Sequence, residues 1–131
     1  MKEISIKTRA RFEMIDITAA VRKAAHEAKI ESGIGLVYTP HTTAAITINE
    51  NADPDVPLDI LAALERAVPL SSNYRHAEGN SAAHVKSSLV GASEMVIIEN
   101  GNPVLGTWQS IFFCEFDGPR TRKVIVKFIT A

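Results

Sequence analysis

Apolar residues in this chain come in short alternating bursts, and the longest unbroken apolar run, residues 60–64, spans five positions. A bilayer-spanning helix needs about 20, so the pattern points to a domain built from short strands and amphipathic helices. Residues 3–9 show it plainly: Ile4 and Ile6 fall on one face, Glu3, Ser5, Lys7 and Arg9 on the other, as in a half-buried strand. Met1-Lys2-Glu3 leads straight into this alternation. Neither a secretory leader nor membrane insertion is expected, and the cytoplasm is the expected compartment.

The same periodicity orders the rest. Residues 12–17 read as a strand expected to pair with the first. Thr18 is expected to cap a helix to about Lys29 whose stripe is Val21, Ala24, Ala25 and Ala28. Residues 33–38 and 44–49 read as strands separated by Thr39-Pro40-His41. A second helix is expected over 58–68, capped by Asp55 and ended by Pro69, and a third from Asn80 or Ser81 to Val90, closed by Gly91. Residues 95–99 and the stretch from Val104 onward read as strands joined by Asn100-Gly101-Asn102, where Asn and Gly tolerate positive φ. Residues 110–116 and 124–129 complete the set around the turn Asp117-Gly118-Pro119. Strands outnumber helices without strict βαβ alternation, so the expected class is α+β, mostly antiparallel, with about three helices in a single domain over residues 1–131.

Charge narrows the partners. Fourteen Lys and Arg balance 15 Asp and Glu, without the cationic surplus that displaces counterions from phosphates, so nucleic acid is not an expected partner. The one cysteine, Cys114, lies in the apolar run Ile111-Phe112-Phe113-Cys114 and reads as a buried, inert thiol.

Chemistry concentrates around histidine. His26 shares the charged side of the first helix with Arg22 and reads as solvent-exposed. His41 stands at the mouth of a strand whose alternate face carries Thr43, Ala45, Thr47 and Asn49, a candidate cleft wall opposite the core-facing Ile46 and Ile48. His76 and His84 flank the polar loop Ala77-Glu78-Gly79-Asn80. Three imidazoles from a strand end, a loop and a helix are candidate ligands for a divalent metal with one open position. Their spacing, 35 and then eight residues, matches no short zinc motif, so only the fold could bring them together. In Asn49-Glu50-Asn51-Ala52-Asp53-Pro54-Asp55, Glu50 and Asp53 are candidate general bases or orienting partners for a metal ligand. Gly106-Thr107-Trp108-Gln109 places the only tryptophan beside Gln109, which suits reading a substrate amide or nitrogenous ring. Lys86, two residues beyond His84, is the candidate phosphate-binding cation, with Arg75 or Arg120 in support.

Taken in order, His41-Thr42-Thr43-Ala44, Asn49-Glu50-Asn51-Ala52-Asp53-Pro54-Asp55, Tyr74-Arg75-His76, Glu78-Gly79-Asn80, Ala83-His84-Val85-Lys86 and Gly106-Thr107-Trp108-Gln109 resemble the YjbQ family, also called secondary thiamine-phosphate synthases. The resemblance spans essentially the whole chain. The segment 77–83 is shorter and less acidic than the insert many members carry there. The resemblance implies a β-sandwich-based α+β fold, a homotrimer, and a cleft near subunit boundaries lined by the matching His, Asn, Glu and Gln positions; with Thr43 and Lys86 from the reading of the residues, the expected substrate-binding set is Thr43, Asn49, Asn80, Lys86 and Gln109. It also implies a weak ability to join a hydroxymethylpyrimidine diphosphate to a thiazole phosphate, giving thiamine phosphate and pyrophosphate.

Pyrophosphate departure normally calls for Mg²⁺, which prefers oxygen ligands. Three imidazoles suit Zn²⁺ or another late transition metal and hydrolytic or Lewis-acid chemistry. The sequence-level expectation is therefore a small-molecule enzyme on a phosphorylated substrate, with Zn²⁺ on His41, His76 and His84. The alternative is a non-catalytic trimer that binds a metal or metabolite for regulation.

Overall fold

Alternation becomes two packed sheets. The computed structural model describes residues 1–131: β1 (Lys2–Lys7), β2 (Glu13–Asp16), α1 (Thr18–Glu27), β3 (Ser32–Tyr38), β4 (Ala44–Glu50), α2 (Asp55–Ala67), α3 (Ser81–Val90), β5 (Ser93–Glu99), β6 (Asn102–Pro103), β7 (Gln109–Glu115) and β8 (Thr121–Thr130). A five-stranded sheet runs β1-β8-β3-β5-β6 and a three-stranded sheet β2-β7-β4, and every pairing is antiparallel. The α+β class, the antiparallel pairing and the three helices are as the periodicity led one to expect, and the sandwich is as the family resemblance implied.

The main core lies between the sheets, with Ile6, Val37, Val96, Ile98, Val124 and Val126 facing Ala44, Ile46, Ile111 and Phe113, and Ile17, just before α1, and Val21 of α1 sealing one side. α2 and α3 cover the far face of the smaller sheet, where Ala45, Phe112, Cys114 and Phe116 meet Ala83, Leu61 and Leu64. Burial pushes the Cys114 thiol up to about 12, so it is inert. The outer face of the larger sheet has no such cover. No helix is long and apolar enough to cross a membrane.

Several expectations are corrected. β2 pairs with β7, not with β1, because Thr8 already bonds Arg120 and the chain then crosses to the second sheet. The Ala45 face of β4 is a second core, not a cleft wall, since small residues there admit the helices. Only residues 102–103 continue as a strand beyond the Asn100-Gly101 turn, whose φ values are +51° and +76°. The chain then bends back as the Gly106 N–H donates to Gln109 Oε1 at 2.8 Å. α2 starts at Asp55, earlier than expected: Pro57 is tolerated in the first turn, where its missing N–H has no helical partner anyway. Asp53, not Asp55, supplies the side chain there, accepting from the Asp55 N–H at 2.9 Å.

Candidate active site

β3 leaves β8 after the pair Tyr38–Ile125, which strands the backbone groups of Lys123. Backbone N–H and C=O groups left without a strand partner seek other partners, and here side chains from the next corner replace the departed strand. Thr39 Oγ1 donates to the Lys123 carbonyl at 3.1 Å. The Lys123 N–H donates to His41 Nε2 at 2.9 Å. A neutral imidazole that accepts at Nε2 carries its proton on Nδ1, so the backbone sets the tautomer of His41. Burial, and after it the Arg122 guanidinium, hold the His41 pKa below the usual histidine value, which agrees with an accepting nitrogen.

His41 and His84 line one polar cavity of about 340 Å³, with Thr42 and Thr43 from the corner, Asn80 at the start of α3, Asp117 and Arg120 from the turn between β7 and β8, and Arg122 from the first residues of β8. Asp117 accepts from Arg120 Nη2 at 3.1 Å and Asn80 Nδ2 at 3.0 Å. Asn80 Oδ1, buried beside them, has no donor. His76 lies on the other side of His84, with ring centroids 5.5 Å apart and edge-on, and its Nε2 is 3.6 Å from Glu78.

The expected trio thus stands in a row, His41 sharing a cavity with His84 and His84 touching His76, but not around a point. No three His, Cys, Asp or Glu side chains are placed to hold one ion. His41 is also chemically unsuited to ligation in this arrangement, because its Nε2 lone pair is taken and its Nδ1 bears hydrogen. The donor set of one chain does not fit a three-histidine metal centre.

The other expected residues scatter. Lys86 is 1% exposed, donates to Glu65 at 2.7 Å and lies 4.2 Å over the Phe12 ring, so it braces α3 against α2 instead of meeting a ligand. Glu65 is held below the usual carboxylate range first by that Lys86 hydrogen bond. Gln109 spends its amide oxygen on Gly106, and Asn49 Oδ1 accepts from the Glu50 N–H at 2.7 Å. Glu50 pairs with Gln109 at the far end of β4. Seven strand residues put it about 20 Å from the His41 corner, so Glu50, Asn49 and Asp53 are not partners of His41 within one chain. Trp108 is 62% exposed near that end, and its carbonyl accepts from the Asn51 N–H.

What sequence reasoning passed over is the buried base of the cleft, Arg122 with Glu115. The signal was present: Arg122 shares inward parity with Val124 and Val126, and Glu115 interrupts the apolar run between Cys114 and Phe116. Two charges on core-facing positions are tolerable only when paired.

Fold and cleft define an α+β sandwich with a small, histidine-bearing polar cavity at one sheet corner. The family model described as UPF0047 protein YjbQ-like matches residues 2–131, and the chain belongs to that family. It is 57% identical over 130 residues to the UPF0047 protein YugU of Bacillus subtilis, covering 98% of each chain. To the UPF0047 protein MJ1081 of Methanocaldococcus jannaschii it is 56% identical over 124 residues, 95% of this chain and 90% of the relative. Among solved structures, an uncharacterised YjbQ/UPF0047 protein of Clostridium acetobutylicum superposes with a TM-score of 0.96 at 56% identity, over 98% of this chain and 100% of the other. A YbjQ-like protein of unknown function from Sulfolobus solfataricus gives 0.94 at 33% identity, over 99% and 96%.

Proposed function

We propose that the protein is a small-molecule enzyme whose His41–His84 cleft handles an anionic, phosphorylated compound by hydrogen-bond and proton transfer, with thiamine-phosphate formation, implied by the family resemblance, as a secondary activity. The observation that carries this reading is the Lys123–His41 hydrogen bond, which makes His41 a donor through Nδ1 in a cavity shared with a second imidazole and a guanidinium. A neutral imidazole donor of this kind can stabilise negative charge developing on a substrate oxygen. His84, with no hydrogen bond of its own to another side chain, is the proton-transfer partner. Arg120 replaces Lys86 as the phosphate-binding cation, because it lines the cavity.

In this reading the chain works as a homotrimer. The large sheet leaves Met95 69%, Ile97 57% and Ile129 66% exposed beside Ile34 and Leu36, an apolar surface of the kind that marks an interface. Glu50 then reaches a histidine cleft only from another copy. The test is incubation of the purified protein with hydroxymethylpyrimidine diphosphate and thiazole phosphate, with thiamine phosphate read by mass spectrometry. Loss of roughly 10²–10⁴-fold in rate is expected for His41→Asn and His84→Asn. Unchanged rates in both folded variants would refute the assignment.

A further inference from the structure

Beneath the cleft, Glu115 is 0% and Arg122 4% exposed. Glu115 Oε1 accepts from Thr8 Oγ1 at 2.8 Å and from Arg122 Nε at 2.9 Å, and Oε2 from Arg122 Nη2 and from the Asp117 N–H at 3.0 Å. Arg122 Nη2 also donates to Thr43 Oγ1 at 2.8 Å and the Thr43 carbonyl at 3.3 Å. Thr8 Oγ1 in turn accepts from the Arg120 N–H at 2.8 Å. One ion pair therefore ties both walls of the cavity: the corner that carries His41, and the turn that carries Asp117 and Arg120.

A pair this deep is a poor way to gain stability, since desolvation offsets its attraction and apolar residues would serve as well. It does fix geometry, because the planar guanidinium fork allows few arrangements of its acceptors. We propose that Arg122 and Glu115 are positioning residues that hold the 39–43 corner so that His41 Nε2 stays on the Lys123 N–H and Nδ1–H remains the donor presented to substrate. The proposal deepens the active-site reading above and takes its importance from it, while its geometry stands alone.

Burial lowers the His41 pKa first and Arg122 next, with Arg120 and Lys123 acting the same way and Glu115 opposing them. Glu115 itself stays below the usual carboxylate range: burial pushes it up, but the hydrogen bonds from Arg122, the Asp117 N–H and Thr8 outweigh that.

The experiment is long-range ¹H–¹⁵N correlation of the imidazoles in the full-length labelled chain at pH 7.5. The wild type is expected to show His41 as one Nδ1–H tautomer. Arg122→Lys keeps the charge but loses the fork, and Thr43→Val keeps the ion pair but removes the hydroxyl. Both are expected to move His41 to a mixture of tautomers while His26 and His76 stay put, and Thr43→Ser is expected to restore the wild-type pattern. A His41 spectrum unchanged in Thr43→Val, or in a folded Arg122→Lys, would overturn the proposal. These spectra need no substrate, so their failure is distinct from the failure of the activity assay.

Discussion

His41 Nε2 accepts the Lys123 backbone N–H at 2.9 Å, taking the place in the sheet that β3 vacates after Tyr38. A single side chain thus finishes a strand edge and is set as a one-sided donor. Its position and the nitrogen it leaves free follow from where β3 turns away.

Acid should destabilise the fold in two steps. A histidine whose folded pKa lies below its unfolded value binds its proton more readily when unfolded. His41's contribution is therefore complete above about pH 6.5 and is lost as pH falls from there towards the folded pKa. Glu115, also depressed on folding, contributes above about pH 4.5 and loses that contribution as pH falls through its lower folded pKa. Thermal scans from about pH 8 to about pH 2 should show Tm falling below about pH 6.5 and again below about pH 4.5, with His41→Asn removing the upper step alone.

Glu115→Gln leaves a buried guanidinium without its counter-charge. The expected cost is about 3–5 kcal/mol, the penalty for breaking a buried pair from one side, seen in urea as a lower midpoint.

Lys86 and Glu65 should respond asymmetrically. Lys86→Met removes a buried ammonium and leaves a partly exposed carboxylate, so stability should change by less than about 1.5 kcal/mol. Glu65→Ala strands that ammonium and should cost about 2–3 kcal/mol. Titration with inorganic pyrophosphate should find Lys86→Met unimpaired and Arg120→Ala weakened by roughly tenfold, in line with a hydrogen bond to a charged group.

Paired changes Met95→Glu and Ile97→Glu put charges on the uncovered apolar face. Light scattering should report trimers for the wild type and monomers for the double variant. Within trimers, mixing inactive His41→Asn with inactive Glu50→Gln should restore part of the activity, because a shared site regains one intact copy of each residue.

The strands, helices and the Asn100-Gly101 hairpin were legible because each depends on period and local turn chemistry. Residues 12–17 were legible as a strand but not in their partner, because alternation reveals that a strand has a buried face, not which neighbour it joins. The fold sets His41, His84 and His76 in a row instead of around one point, and the use of each ring was not legible. Whether an imidazole ligates, donates or caps a backbone depends on which nitrogen is already engaged, and Lys123 is 82 positions from His41 along the chain. Lys86 misled for a related reason: a helix lysine reads as solvated until α2 is seen to bring Glu65 over it. Arg122 and Glu115 were readable from parity alone, and their cost in a core is what marks them.

The most direct test of the account is amide and imidazole chemical-shift mapping of the assembled protein on titration with thiamine phosphate. Perturbations centred on His41, Thr43, His84 and Arg120 are predicted. Shifts confined to α1 and the Asn100-Gly101 hairpin, with the His41 and His84 rings unmoved at saturation, would contradict it.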